Sequence, residues 1–337
     1  MAMKFGLALM NDFPPGEDVP RRVDLLREQA RAAEDAGISS VWVLQHYLGS
    51  MPTLQPVPLL SALAQDTGSM SIGTNMFILP LRHPVDVAED FATLDNISGG
   101  RVIAGFGMGY RENEFESFGI GLDDRVGRFE ESISIINRLW SGESTSLRGE
   151  HFSINDQRIS LRPIQQGGPP IWIGAGPHRK GAERAARLGD AWIVPPHVPP
   201  SKLERLFGFF HAERERLGKG GASELVVRRE LLLDTDPDRA AAMGSAARTR
   251  LSKQYAAYNA PQAGDAYKHL QGEDKANEVA QVSYVFEGPA GAIRKFKELE
   301  ALGVTYVVLR AQWFDLPHEQ VLRTLELFRD EVLPAFA

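Results

Sequence analysis

Short apolar runs alternate along this chain with longer amphipathic stretches. Lys4–Met10 has strand character and Arg21–Ala36 reads as a helix stopped by Gly37. The alternation predicts further strands at Ser39–Leu44, Ser71–Leu79, Arg101–Phe106, Pro170–Gly174, Ala191–Val194, Leu225–Leu233 and Val304–Leu309. Helices are predicted at Pro58–Thr67, Val85–Ile97, Arg125–Trp140, Arg179–Leu188, Ser201–Leu217 and Pro237–Tyr258, with His318–Leu333 closing the last unit. Three segments repeat one phrase. EDAGISSVWV, ARLGDAWIV and EALGVTYVVL each end a helix, pass through glycine and enter an apolar strand, so the glycine is expected to supply a left-handed cap. Strands such as VWVL and TYVVL are apolar without alternation, as when helices cover one face and a packed interior fills the other. This repetition predicts an α/β fold, a (β/α)8 TIM barrel, against the alternative of a doubly wound open sheet.

Two segments interrupt the pattern. Ser144–Pro163 has short alternating runs around Gly149-Glu150 and Asn155-Asp156 and predicts a hairpin insertion. Gln254–Ser283 is polar and broken by Pro261, Gly264 and Gly272, which makes it a candidate lid or a plain surface loop. No linker divides the chain, so residues 1–337 are expected to form one domain.

Composition narrows the function classes. At 337 residues, 43% hydrophobic and 24% charged, the chain suits a globular protein with a large core. A net charge of −7 lacks the basic footprint of a nucleic-acid binder. The absence of cysteine removes disulfides, thiolate metal sites and cysteine nucleophiles. MAMKFGLAL is too short an apolar run for a signal peptide and no later run approaches membrane-spanning length, so a cytoplasmic protein is expected.

Unusual residues gather where strands end. Asn75 sits among β-formers in SIGTNMFILPLRHP, and Gly105, Gly107 and Gly109 alternate in GFGMGYRENEF. Such glycines would let a flat ring or a phosphate approach the backbone; the spacing is not the GxGxxG of a dinucleotide fold. Gly174-Ala175-Gly176-Pro177 ends the fifth strand and opens a helix, a natural phosphate cradle to which His178, Arg179 and Lys180 can add charge. The same proline also suits the start of any helix. His46, just past the second strand, is a hydrogen-bonding or acid–base group if it faces a ligand and a polar loop residue if it does not. No GxSxG elbow, Walker loop or HExxH pairing occurs, so no metal is expected and a bound organic cofactor is the economical source of reactivity.

Taken in order, KFGLAL, WVLQH, IGTNMFILPLRHP, RVIAGFGMGYRENEFESFGI, PIWIGAGP, ERAARLGDAWIV, GVTYVVLR and LFRDEVLPAF resemble the bacterial luciferase-like flavin-dependent oxidoreductases over nearly the whole chain. The resemblance implies a barrel with FMN or a deazaflavin across the strand C-termini. It implies a non-proline cis peptide at Asn75–Met76 behind the ring and a ring-side histidine at His46. It implies phosphate contacts at Gly109, Tyr110, Gly174, Gly176 and Pro177; Arg310 is a substrate-side candidate. Tyr110 stands where the sugar-phosphate dehydrogenases of the group carry a catalytic glutamate, and Gln45-His46-Tyr47 where the luciferases have Glu-His-His, which argues against light emission. The leading expectation is an FMN-dependent monooxygenase oxidising a small organic substrate with O2, its reduced FMN supplied by an NAD(P)H:flavin reductase. A deazaflavin-dependent hydride-transfer enzyme and a non-catalytic flavin-binding barrel are the alternatives. A homodimer is expected by resemblance alone, with no nucleic-acid or membrane partner.

Overall fold

The computed structural model describes residues 2–49, 51–221, 223–245, 282–313 and 316–336. Eight parallel strands close into a ring: β1 (Lys4–Leu9), β2 (Ser40–Val43), β3 (Ser71–Thr74), β5 (Val102–Gly107), β8 (Ile171–Gly174), β9 (Ala191–Val194), β10 (Leu225–Leu233) and β12 (Tyr306–Arg310). Closure is direct. Lys4 of β1 pairs with Tyr306 of β12, and Leu225 of β10 pairs with Trp192 of β9. A doubly wound sheet has two free edges, so these pairings exclude it.

The strands lie beneath helices α1 (Val19–Asp35), α2 (Pro56–Leu63), α3 (Pro84–Ser98), α5 (Arg125–Ser141), α6 (Arg179–Leu188) and α7 (Pro200–Arg216), joined by α8 (Pro289–Ala301) and α9 (His318–Leu327). Residues 237–245 are also helical; the rest of the predicted Pro237–Tyr258 helix lies outside the described residues. So does the proposed lid, Gln254–Ser283, apart from its last two residues. Between Ser144 and Pro163 the chain forms an antiparallel hairpin of β6 (Thr145–Arg148) and β7 (Ser153–Gln157).

Burial explains the unbroken apolar strands. Their outward side chains meet the helices in one large core, which includes Phe5, Val41, Phe106 and Val307. Their inward side chains fill the barrel: Trp42, Trp172, Ile193, Val226 and Tyr306 form a separate buried cluster. Trp42 and Trp172 ring centres are 4.9 Å apart, and Tyr306 stands edge-on to Trp172 at 5.1 Å. The Tyr306 hydroxyl lies 2.6 Å from Ser40 Oγ, which also accepts from the Trp42 indole N–H, so both of these polar tips in the plug are satisfied. Room for the indole comes from missing side chains: a Cβ at Gly73 would lie 2.5 Å from the Trp42 ring.

The structure departs from the sequence pattern in several places. The predicted strand Ser71–Leu79 breaks after Thr74 and resumes as β4 (Phe77–Ile78), which pairs with the far end of β5. A short strand, β11 (Tyr284–Glu287), extends the sheet along the far half of β10 and had no signal in the alternation. Gly37 and Gly303 are left-handed caps, at φ +71° and +89°. Gly189 is not: its φ is −124°. A side chain there would strike Ile173 Cγ1 at 2.6 Å, so that glycine serves close helix–strand packing.

Candidate active site at the barrel mouth

The break between β3 and β4 falls at the C-terminal end of the barrel. There the Asn75–Met76 peptide is cis. Thr74 holds the interrupted ladder together, its Oγ1 donating to the Gly105 carbonyl at 2.8 Å and lying 3.1 Å from the Gly105 amide, which donates to it. On the other side, Ile78 N–H donates to Gln45 Oε1 at 2.8 Å, which ties the segment to the loop after β2.

This geometry corrects the reading of the glycines. Gly105 and Gly107 do not expose bare backbone to a ligand; they admit the Thr74–Met76 segment. A Cβ at Gly105 would stand 1.7 Å from the Thr74 carbonyl oxygen. At Gly107 it would reach Met76 Cβ at 2.9 Å, and at Gly174 it would reach Met76 Cγ at 2.8 Å. Gly109 differs, with φ +72°, and with Tyr110 it stays partly accessible in the loop after β5. A short helix, α4 (Glu112–Ser117), starts two residues past Tyr110.

Gly176 and Pro177 are partly accessible just before α6. The cradle is less charged than the sequence suggested. His178 is the N-cap, its Nδ1 accepting from Gly181 N–H at 3.0 Å, and Arg179 pairs with Glu183 at 2.7 Å. Both side chains are engaged by their own helix.

His46 belongs to a network that sequence reasoning missed. Its Nδ1 lies 3.3 Å from Oε1 of Glu114, a fully buried carboxylate on α4. The same oxygen accepts from Tyr47 N–H at 2.8 Å and from Arg111 Nη1 at 3.0 Å. Arg111, itself buried, also donates to the Tyr47 carbonyl at 3.1 Å. Gln55 Nε2 donates to the His46 carbonyl at 3.0 Å, and the Tyr110 ring stands edge-on to the imidazole at 6.3 Å. The signal was present in RENEF: Arg and Glu at i and i+3 with Phe behind them. Nothing linear joined it to His46, 68 residues away. Glu114→Gln keeps the shape but removes the charge opposite Arg111. A loss of about 2 kcal/mol is expected, read as a lower denaturation midpoint by circular dichroism; an unchanged midpoint would show that the network carries no such energy.

Across the mouth, Arg310 Nε donates to Glu230 Oε2 at 2.5 Å, while Arg228 Nη2 lies 3.2 Å from Glu230 Oε1. All three come from β10 and β12, and burial leaves Arg310 and Glu230 nearly inaccessible. Neighbouring Arg229 turns away to the Pro196 carbonyl; burial lowers it to about 10, so it stays charged at neutral pH. A small pocket lies between the halves, lined by Ala8, Leu9, Asp12, Trp42, Leu44, Asn75, Arg228 and Arg310. Asp12 lies three residues past the end of β1 and forms an isolated bridge with Thr53. Burial raises its carboxyl above the usual range, opposed by Arg310, then by a hydrogen bond from its own backbone and, less strongly, by His46 and Arg22. The structure therefore brings Asn75 and Arg310 to one pocket and sets His46 within electrostatic reach of it, through Asp12.

Known proteins share this frame. A family model described as luciferase-like monooxygenase matches residues 3–308. An F420-dependent glucose-6-phosphate dehydrogenase of Nakamurella multipartita is 29% identical over 328 residues, 92% of this chain and 91% of that protein. An F420-dependent hydroxymycolic acid dehydrogenase of Mycobacterium tuberculosis is 33% identical over 230 residues, 66% of this chain and 62% of that one. The crystal structure of monooxygenase RslO1 from Streptomyces bottropensis superposes with a TM-score of 0.89 at 24% identity, covering 99% of this chain and 100% of that one. Among the described residues no helix is long and apolar enough to cross a membrane.

Proposed function

The chain belongs to the luciferase-like monooxygenase family, whose members use a flavin-type cofactor, and from that premise we propose that it is a deazaflavin-dependent oxidoreductase acting on a small organic alcohol. The observation that carries this reading is the His46–Glu114 pair: an imidazole backed by a buried carboxylate in the loop after β2 suits the proton that leaves when an alcohol is oxidised. The two F420-dependent relatives support it. The reading reverses the order expected from sequence, in which FMN and O2 came first.

The residues present fit such a cofactor. Asn75 Nδ2 is buried at the pocket without a hydrogen-bond partner, a donor that a ring carbonyl would satisfy. Asn75 and Met76 would back the ring, and Gly109, Tyr110, Gly174, Gly176 and Pro177 would hold the phosphate end. When bound, a deazaflavin supplies a two-electron hydride sink. The protein's part is to seat the alcohol, exclude water and handle the proton at His46.

One observation favours a second reading, the FMN-dependent monooxygenase with its separate reductase: Tyr110, not a carboxylate, faces His46. Equilibrium binding and anaerobic turnover decide between the two. The protein is expected to bind F420 more tightly than FMN and to bleach oxidised F420 without oxygen when given a secondary alcohol. Tight binding of FMN alone, with oxygen consumption from its reduced form, would overturn that. In either case Gly176→Asp, which puts a carboxylate at the phosphate end and a Cβ 2.9 Å from His178 Nε2, is expected to weaken cofactor retention at least tenfold with the fold intact. Retention equal to the parent protein would place the anion elsewhere.

A further inference from the structure

Among the described residues, the acceptor Oδ1 of Asp12 and the donor Nδ2 of Asn75 are buried without a hydrogen-bond partner, and both residues line the small pocket. Much of the remaining wall is apolar, from Ala8, Leu9, Trp42 and Leu44. An unpaired carboxyl oxygen shut away from water is costly, and native interiors rarely leave one unless a ligand completes it. The ligand group that completes Asp12 is a hydrogen-bond donor. Its charge follows from the surroundings. Asp12 feels the guanidinium groups of Arg310 and Arg22, held by Glu230 and Glu17, and the imidazole of His46; Arg228 lines the same pocket. A substrate ammonium there would be pushed against Arg310. A neutral hydroxyl would not.

We propose that Asp12 is a catalytic residue that accepts the proton of a substrate hydroxyl, and that it thereby restricts the reacting end of the substrate to neutral alcohols. This rests on the hydride-transfer reading above. The O–H bond breaks and its electron pair becomes the second bond of the new carbonyl. A bound oxidised deazaflavin would supply the acceptor for the C–H hydrogen and its electron pair, and the proton goes to Asp12 Oδ1. His46, more exposed than Asp12's oxygen and anchored on Glu114, is the exit for that proton to solvent. Arg310 favours the ionised, proton-accepting form of Asp12, while burial shifts its titration upward. The sign follows: the base form fills in only as pH rises past a raised midpoint, so the rate climbs through a limb above the ordinary carboxylate range.

The experiment uses the F420-loaded protein, with Asp12→Asn and Asp12→Glu as variants. Carbon-13 labelling of aspartate carboxyls, assigned by the resonance missing in Asp12→Asn, follows Asp12 without any turnover. Cyclohexanol and cyclohexylamine serve as the neutral and cationic probes. Asp12 is expected to titrate above the usual carboxylate range and to shift with cyclohexanol but not with the amine. In turnover with a secondary alcohol, Asp12→Asn is expected to lose two to four powers of ten together with the acidic limb, and Asp12→Glu to restore the limb. A resonance unmoved by cyclohexanol, or a limb that survives in Asp12→Asn, would overturn the proposal. If the parent protein oxidises no alcohol while Asp12 still answers cyclohexanol, the hydride-transfer reading and the proton transfer that rests on it fall together, leaving only a hydroxyl contact. An Asp12 that is silent in a protein that does oxidise alcohols sinks the proposal alone.

Discussion

His46→Ala is expected to lower turnover by about two to four powers of ten, the usual scale for a positioned acid–base group. Cofactor affinity is expected to change far less, because the phosphate end is assigned to the loops after β5 and β8, away from the imidazole. The two quantities separate the explanations. A histidine that only seats the cofactor loses affinity and turnover together, whereas one that passes a proton loses turnover at saturating cofactor. Rapid-reaction measurement of the hydride step in parent and variant reads this directly; an unchanged rate would remove His46 from the chemistry. Because Glu114 also accepts from Tyr47 N–H and Arg111, the loop is expected to keep its shape when the imidazole is gone. A loss of rate is therefore expected without a matching loss of thermal stability.

Gly105→Ala is expected to be the most damaging small substitution in the barrel. One methyl group would occupy the place of the Thr74 carbonyl oxygen, 1.7 Å from the new carbon. Backbone cannot yield as a flexible side chain does, so a cost of about 3 kcal/mol or more is expected. The Thr74 Oγ1 bonds to Gly105 would be lost with it. Chemical denaturation should show the drop, and the remaining folded protein should retain cofactor poorly, since Asn75 and Met76 follow directly. The same substitution at Gly208, on α7 with open space around it, is the control and is expected to be harmless. Equal effects at the two positions would show that the contact at Gly105 carries no special weight.

How much of this was legible beforehand follows from what linear patterns encode. Apolar runs and glycine stops are local, so the eight strands of the barrel and most of its helices could be read. Asn75 stood out as a polar residue among β-formers, and it marks the break that the structure shows. The glycines of GFGMG were conspicuous, but one sequence cannot tell a glycine that admits a ligand from one that admits a neighbouring strand. Glu114, Arg228 and Glu230 read as ordinary charged residues, because burial is a property of the closed barrel and not of their neighbours in the chain. Asp12 was hidden for a related reason. Its setting is made by Arg310 and Arg22, one of them from the opposite end of the chain.

The pairing of β1 with β12 carries a consequence for how this protein is made. Lys4 finds its partner at Tyr306, about three hundred residues later. Until Tyr306–Arg310 has left the ribosome, the first strand and the seventh of the ring each present an open edge, and Trp42 and Trp172 have no roof from Tyr306. Contacts so distant in sequence slow folding, and exposed edges invite pairing with other chains. Synthesis, at roughly 5–20 residues per second, therefore leaves a nascent barrel with unpaired edges for on the order of tens of seconds. In a crowded cell, that interval is when the open edges of this chain are exposed to pairing with other chains.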